Sequence, residues 1–499
     1  MNGAPSATET RFRSLFLVCT GTVLTSLGIT VPYVWLLTPL GLAFLFYTLW
    51  YLTPDARTAS LFGFFFGTAT GASAIGWFWD TLPLDWLHLG SPLVQIGAVA
   101  IAWGVVSISF GIATALATFS IWKLRENTFI ALISALLWTV AEYLRMWSFA
   151  IATAGPGSLF GAHFSGMALG YALSENPILL QFARFGGIHA LNFLVAFIAA
   201  TIALLMSLRH ASHHKKSFVV VIACALLIIL PFLIPLEKRV DSGHTLEAAI
   251  VGINIPTEDT TNRSGEERQT LVSLGQEAVP PDLIVLPERY TLAEVLAATT
   301  TGSTSLASLF PKTDTLVIAA GHISAPDGGL YSQLAYTSSK TGTLGTYDKL
   351  FLMPLGEYPP YFARIAYAFF NDPRLKGYIS RLGAALHPGE GVSGITWQGI
   401  GVGGLICSDD LSPILYQQLE KQVGASILVN TANPAWFHNS RTLLYKTIEL
   451  GKVHAVENNA YYLEAANGAP SFVISPQGDV IAKTPWGGTH VLLVPLTLP

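Results

Sequence analysis

The chain has 499 residues, of which 51% are hydrophobic and only 12% charged, against roughly 25% charged in ordinary soluble domains. A mean hydropathy of +0.50 at this length excludes a disordered, collagen-like or simple soluble protein. Charge is also uneven: residues 1–240 hold 12 Lys/Arg and 8 Asp/Glu, whereas 241–499 hold 15 and 23, and neither half is basic enough to point to nucleic acid.

The first domain, 1–240, reads as a polytopic helical membrane domain. Runs near 12–31, 33–53, 58–79, 94–121, 128–147, 188–208 and 217–236 are apolar enough to cross a bilayer, which takes about 20 residues each. Consecutive buried core helices are the alternative, but seven such runs in succession are foreign to globular domains. Arg11 and Arg13 resemble the start of a signal peptide. The run that follows is long, lacks a clear small-residue cleavage site and leads directly into more spans, so cleavage is not expected.

Orientation follows from the loop cations. With the N-terminus inside, Arg11, Arg13, Arg57, Lys123, Arg125, Arg209, Lys215 and Lys216 are cytoplasmic, against Arg145 and Arg184 outside. Seven crossings then export everything beyond residue 240. His210, His213 and His214 sit with Lys215 and Lys216 and read as a solvated basic loop rather than a metal site. Trp77, Trp79, Trp86, Trp138 and Trp147 lie near span ends, as an interfacial aromatic belt would. Glu142 and Arg145 share one helical face three residues apart. Ionisable groups inside a span are functional or paired with each other.

The second domain, 241–499, changes to short strands and helices. Strands are expected at 245–255, 282–287, 315–323, 332–338, 342–350, 400–407, 426–430, 461–465 and 471–475, and helices at 292–309, 412–423 and 442–457. Alternation of the two, with several strands apolar throughout, favours a layered α/β fold with buried sheets. The segment 358–387 interrupts it with Pro359, Pro360, Tyr361, Phe362, Tyr367, Phe369 and Phe370. It reads either as a bilayer-touching arm or lid, or as a packed helical insertion.

The candidate chemistry sits at strand ends. Cys19 and Cys224 lie in expected spans, which leaves Cys407 as the lone cysteine of the exported domain. Such a thiol is either buried and inert or retained for reactivity. It ends the apolar strand Gly401–Cys407, with a helix expected soon after, so the thiol is presented at the sheet edge and following N–H groups can serve as an oxyanion hole. The glycines before it do not open a helix, so they are no dinucleotide loop. Leu286-Pro287-Glu288 ends another strand with a carboxylate, and Tyr347-Asp348-Lys349 a third with a lysine, followed by Glu357. A carboxylate can deprotonate a thiol, and an ammonium favours both the thiolate and an anionic tetrahedral intermediate.

In this order and with these flanks, Glu288, Lys349 and Cys407 resemble the Glu-Lys-Cys triad of the nitrilase superfamily, as do Val453–Tyr462 and Ala466–Gly478. That resemblance implies a four-layer αββα sandwich. Ala135–Arg145, Phe185–Leu194, Asn254-Ile255-Pro256, Pro354–Tyr358 and Ala435-Trp436-Phe437 are similar to bacterial apolipoprotein N-acyltransferases, over nearly the whole chain. The resemblance implies a ping-pong transfer of a fatty acyl chain from a membrane phospholipid, through a Cys407 thioester, to the N-terminal amine of a diacylglyceryl-cysteine apolipoprotein. By carry-over Glu288 is general base and then acid, and Lys349 stabilises the oxyanion with the Ser408 N–H. Glu357 orients Lys349 or completes the site, Trp436 lines the acyl or head-group entry, and Glu142 and Arg145 support the site. No metal or diffusible cofactor and no nucleic acid is implied; a monomer in the bacterial inner membrane, with its catalytic domain on the periplasmic side, is expected.

The chain departs from that pattern in places. Leu286 stands where the family usually has Trp, Cys407-Ser408-Asp409 replaces Cys-Tyr-Glu, and Pro434 replaces Asp. Gly252 and Ile253 occupy the place of a Gln, and Ala460 and Glu464 that of a basic pair. His490–Pro499 is apolar but too short to span. These departures bear on the acceptor. A tethered amidase, a TraB-type conjugal-transfer paralogue with another acceptor, and an inactive membrane scaffold are the alternatives.

Overall fold

The structure is a computed structural model that describes residues 7–84, 91–207, 244–255, 260–289, 306–370 and 386–498, with a few positions between 373 and 380. The chain divides into two compact units: residues 1–78, 96–152 and 164–236 form one, and 79–95, 153–163 and 237–499 the other.

The first unit is helical. It comprises α1 (Ala7–Thr30), α2 (Leu37–Tyr51), α3 (Ala56–Ala74), α4 (Pro92–Lys123), α5 (Ile130–Ala152) and α6 (Gly187–Ser207). Among the described residues, four helices are long and apolar enough to cross a membrane: Thr8–Thr30, Pro92–Lys123, Ile130–Ala152 and Gly187–Ser207. The expected span 33–53 shortens to α2, because Tyr33 takes a left-handed φ of 66° after Pro32 and the helix starts only at Leu37. The expected span 58–79 stops at Ala74, and Trp77 and Trp79 fall in a 3-10 turn, Gly76–Thr81. Gly, Ala, Ser and Thr dilute the hydropathy of α3. The expected span 217–236 lies outside the described residues. Close helix approach uses small residues: a Cβ on Gly21 would lie 2.6 Å from the Gly41 carbonyl oxygen, so α1 and α2 touch backbone to backbone.

The second unit is a sandwich. One sheet runs β12-β1-β2-β3-β4-β5 and the other β11-β10-β9-β8-β7-β6. The first contains β1 (His244–Gly252), β2 (Leu283–Glu288), β3 (Leu316–Ser324), β4 (Leu330–Ser338), β5 (Gly342–Asp348) and β12 (His490–Leu498). The second contains β6 (Gly394–Trp397), β7 (Ile400–Ile406), β8 (Ala425–Ala432), β9 (Tyr461–Ala466), β10 (Phe472–Ile474) and β11 (Val480–Lys483). β1, β2 and β3 are mutually parallel, as are β7, β8 and β9. These inner strands are buried on both faces, which is why β2 reads Leu-Ile-Val-Leu with no alternation.

Residues of both sheets, among them Val285, Ile318, Leu334, Leu405 and Leu428, fill one core between the layers. Ile284, Leu286 and Val317 face the other way, onto Leu271 and Leu274 of α7 (Thr260–Gly275). Helices α9 (Leu415–Val423) and α10 (Arg441–Asn458) supply Leu415, Tyr416, Leu419, Leu444 and Ala455 to the core of the second sheet. The order is helix, sheet, sheet, helix, as the resemblance implied. Most of the expected strands are present with ends shifted by a residue or two; β6, β11 and α7 were not expected. The expected helix 292–309 lies mostly outside the described residues. His490–Leu498, read only as too short to span, is the edge strand β12, antiparallel to β1 over its whole length. In 358–387 the residues Tyr361–Phe370 form helix α8, with Tyr361, Ile365 and Phe369 exposed along one stripe.

One of the hydrogen bonds that join the two sheets lies where apolar packing cannot replace it. Gly404 N–H of β7 donates to the Tyr336 hydroxyl of β4 at 2.6 Å, and that hydroxyl donates to the Ser393 carbonyl at 3.0 Å. Tyr336→Phe should therefore destabilise the unit by about 1–3 kcal/mol, the cost of stranding a buried donor. The check is the denaturation midpoint in detergent against wild type.

Candidate active site

Cys407 follows β7 directly and takes a left-handed φ of 52° at the start of the 3-10 helix Cys407–Leu411. That backbone conformation costs a non-glycine residue on the order of 1 kcal/mol or more and persists only where its surroundings impose it. Asp409 does so here. Its Oδ2 accepts from the Ile406 N–H at 3.2 Å and the Tyr347 hydroxyl at 2.8 Å, and its Oδ1 from the Phe351 N–H at 2.7 Å. The neighbouring Ser408 hydroxyl donates to the Phe351 carbonyl at 2.6 Å. A sharp strand-to-helix turn of this kind lifts the nucleophile out of the sheet, and the first-turn N–H groups, Ser408 among them, have no helical acceptor of their own.

The two sheets bring the other groups to the same end. Glu288 is the last residue of β2, and Lys349 the first after β5. Lys349 is 1% exposed and Glu288 5%. The Lys349 Nζ lies 2.8 Å from Glu357 Oε1 and 3.8 Å from Glu288 Oε1. Glu357 is itself fixed, its Oε2 accepting from the Met353 N–H at 2.6 Å. The expected partnership of Glu357 with Lys349 is thus present in the geometry. Trp436 lies in a 3-10 turn, Pro434–Phe437, just beyond β8, and the Arg289 guanidinium stacks over its ring at 5.2 Å. Glu142 and Arg145 belong to the first unit. There Arg145 Nη1 donates to Glu142 Oε1 at 2.9 Å and Oε2 at 3.1 Å, and Trp138 Nε1 donates to Oε1 at 3.0 Å. Of the two sequence readings, they are paired with each other.

Electrostatics follow from this packing. Burial pushes the Cys407 thiol far up, and the Glu288 carboxylate adds to it. Lys349 and an Asn433 N–H that meets the sulfur pull the other way. Burial thus favours the protonated thiol, with the Glu288 carboxylate and the Lys349 ammonium both close enough to act on it. For Lys349 burial opposes the charge, but Glu357 and Glu288 outweigh it and hold the ammonium. Burial pushes Asp409 up to about 6, against the pull of Lys349 and its hydrogen-bond donors. His322, in β3, is lowered to about 4 by burial and by Arg289, which keeps it neutral beside these charges.

Sequence reading missed several of these groups. Asp409 entered only as a departure from Cys-Tyr-Glu, and the signal that could have found it was an acid two residues past the nucleophile. His322 and Asn433 carried no local signal. Among the described residues no group of three or more His, Cys, Asp or Glu is arranged to hold a metal ion.

Comparison with known proteins decides the family. The carbon-nitrogen hydrolase family matches residues 247–499, and the apolipoprotein N-acyltransferase N-terminal domain matches residues 21–201. The chain belongs to the carbon-nitrogen hydrolase family. Its homologues named apolipoprotein N-acyltransferase make it an acyltransferase, and the apolar helices of its first part fit a membrane protein. The apolipoprotein N-acyltransferase of Aquifex aeolicus is 25% identical over 91% of this chain and 94% of that protein. That of Rickettsia typhi is 24% identical over 86% of this chain and 81% of that protein. Among solved structures, Nit3 of Saccharomyces cerevisiae, a member of branch 10 of the nitrilase superfamily, aligns with 51% of this chain and 90% of that one at 16% identity and a TM-score of 0.39.

One buried acid outside the catalytic group gives a pH signature for the unit. Glu457, on α10, accepts from Gln417 Nε2 of α9, and burial raises its carboxyl from 4.5 to about 8. Folded protein thus keeps a proton that unfolded chain has lost, so stability falls as pH rises from about 4.5 to about 8. Glu457→Gln keeps the acceptor and removes the titration. Its denaturation midpoint should match wild type near pH 4.5 and exceed it by a margin that grows up to pH 8.

Proposed function

We propose that this protein transfers a fatty acyl chain from a membrane phospholipid to the N-terminal amine of a diacylglyceryl-cysteine apolipoprotein, with Cys407 as the covalent carrier. The observation that carries this reading is the group of Cys407, Glu288, Lys349 and Glu357 at one end of the sandwich, with Glu288 and Lys349 buried and Cys407 and Glu357 half-buried, in a chain whose other half is built of apolar helices. Glu288 takes the thiol proton as the sulfur attacks the ester carbonyl carbon. The anionic tetrahedral oxygen that forms is met by Lys349 and the Ser408 N–H. Collapse breaks the ester C–O bond, and the lysophospholipid alkoxide leaves with the proton that Glu288 had taken. The acceptor amine then attacks the thioester, gives its proton to Glu288, and the amide leaves as the thiol is regenerated.

The rest of the reading follows from membrane substrates at both steps. The protein acts as a monomer in the bacterial inner membrane, with seven spans, a cytoplasmic N-terminus and the sandwich on the periplasmic side. The Lys/Arg bias of the loops supports that orientation. Trp436 lines the acyl or head-group entry, beside Arg289. The exposed stripe Tyr361, Ile365 and Phe369 of α8 supports a bilayer-touching arm that gates acyl entry.

Incubation of the full-length protein with phospholipid alone should load one acyl group on Cys407 as a hydroxylamine-labile thioester, read by intact mass. Cys407→Ala should never load. Glu288→Gln should load about 10²–10⁴-fold more slowly, the usual contribution of a general base, and Lys349→Met about 10²–10³-fold more slowly for loss of an oxyanion partner. A wild type that forms no thioester with any phospholipid would refute the acyltransferase mechanism; one that loads but yields only free fatty acid would make the protein a lipid hydrolase.

The arm is tested separately. Ile365→Ser with Phe369→Ser should lower turnover of long-chain phospholipid donors at least several-fold more than that of short soluble esters. Equal effects on both would leave α8 a purely structural insertion.

A further inference from the structure

We propose that the loop Thr153–His163 is a working wall of the active site, and that His163 is a positioning residue for the Cys407 elbow. The proposal rests on the acyl-transfer reading above. The loop follows α5 in sequence, yet it is part of the compact unit that holds the two sheets. Its first residues meet the segment that carries Glu357. The Tyr358 hydroxyl donates to the Thr153 carbonyl at 2.9 Å, and the Tyr361 N–H to the Ala154 carbonyl at 2.7 Å. Gly155 presses on the same segment so closely that a Cβ there would lie 2.9 Å from the Pro359 carbonyl oxygen and 3.0 Å from Pro360 Cα.

The last residue of the loop meets the nucleophile's own helix. His163 Nδ1 lies 2.9 Å from the Ser412 hydroxyl oxygen. Ser412 is fully buried, and its N–H closes the 3-10 helix that begins at Cys407 by donating to the Asp409 carbonyl at 3.0 Å. The His163 ring also lies 6.1 Å from that of Phe351, the residue whose backbone holds Ser408 and Asp409. One side chain therefore touches both brackets of the elbow. Burial lowers the proton affinity of His163, so the ring is a neutral partner for a neutral hydroxyl. Without it, the Ser412 oxygen keeps only a long 3.4 Å contact from the Ile414 N–H, and a buried hydroxyl left so poorly paired pulls its backbone out of place. A displaced nucleophile reacts slowly even where substrate still binds.

The test uses full-length protein in phospholipid vesicles, with two readouts. The first is the rate of Cys407 alkylation by iodoacetamide, located by peptide mass mapping, which needs no acyl donor. The second is the rate of acyl loading from phospholipid, resolved into kcat and KM. His163→Phe keeps ring volume and removes the bond; it should slow both readouts about 10–100-fold, through kcat with donor KM unchanged. His163→Asn, whose side-chain amide reaches the place of Nδ1, should recover most of the rate. Ser412→Ala should lose as much as His163→Phe, and the double variant should lose no more than either. Wild-type alkylation by His163→Phe, an Asn variant as slow as the Phe variant, or losses that multiply in the double variant would each overturn the proposal. Slowed alkylation in a protein whose wild type never loads acyl would uphold the positioning role and refute the acyl-transfer reading instead.

Discussion

Everything in the catalytic end of the sandwich depends on keeping the Lys349 ammonium charged where almost no water reaches it. An isolated buried ammonium costs several kcal/mol even after relaxation, so the site must provide compensation. Glu357 at 2.8 Å and Glu288 at 3.8 Å do so. The same pairing dictates the division of labour. Glu357 is doubly held, by Lys349 and by the Met353 N–H, and is occupied as a fixture. Glu288 stands farther from the ammonium, and the proposed mechanism therefore gives the thiol proton to it. In the proposed mechanism a protonated thiol with a cation and a carboxylate beside it is the resting state, and charge separates only when a substrate carbonyl is present.

The elbow is the second constraint. Cys407 is held in a left-handed backbone conformation by bonds that come from another sheet. Asp409 gathers Tyr347 and Phe351, which flank Lys349, and Ile406, which precedes Cys407. One buried carboxylate thereby locks the segment that carries Lys349 to the one that carries Cys407. Parallel strands make this possible, because β2 and its neighbours in one sheet, and β7 and β8 in the other, all deliver their carboxyl ends to one place, where loops rather than ladders decide the chemistry.

The helical half obeys a different rule. Its buried ions, Glu142 and Arg145, pair with each other on one face of α5 through Arg145 Nη1, with Trp138 as a further donor. Small residues set the helix approach where α1 meets α2. Water is scarce within a bilayer, so the spacing Glu-x-x-Arg gives each charge an opposite partner on the same helix face.

Much of this was legible in the sequence. Apolar runs of spanning length, the charge asymmetry between halves, and Glu288, Lys349 and Cys407 at the ends of strands are local features, fixed by period and by the residue that stops a run. The αββα order and the family were legible through motifs. Other features were not. The polar sequence of α7 carries no apolar stripe strong enough to announce a helix. His490–Leu498 reads as a short apolar tail, and only its pairing with β1, far away along the chain, makes it a sheet edge. Asp409 looked like drift until its three donors were in place. His163 looked like nothing, since its partner Ser412 is distant in sequence. The sequence determined which residues are chemically able, because protonation, charge and strand-forming tendency are properties of the residue and its near neighbours. The tertiary structure decided which of them are brought together, because burial, pairing and the loss of water arise only when two sheets and the loops between their strands pack against one another.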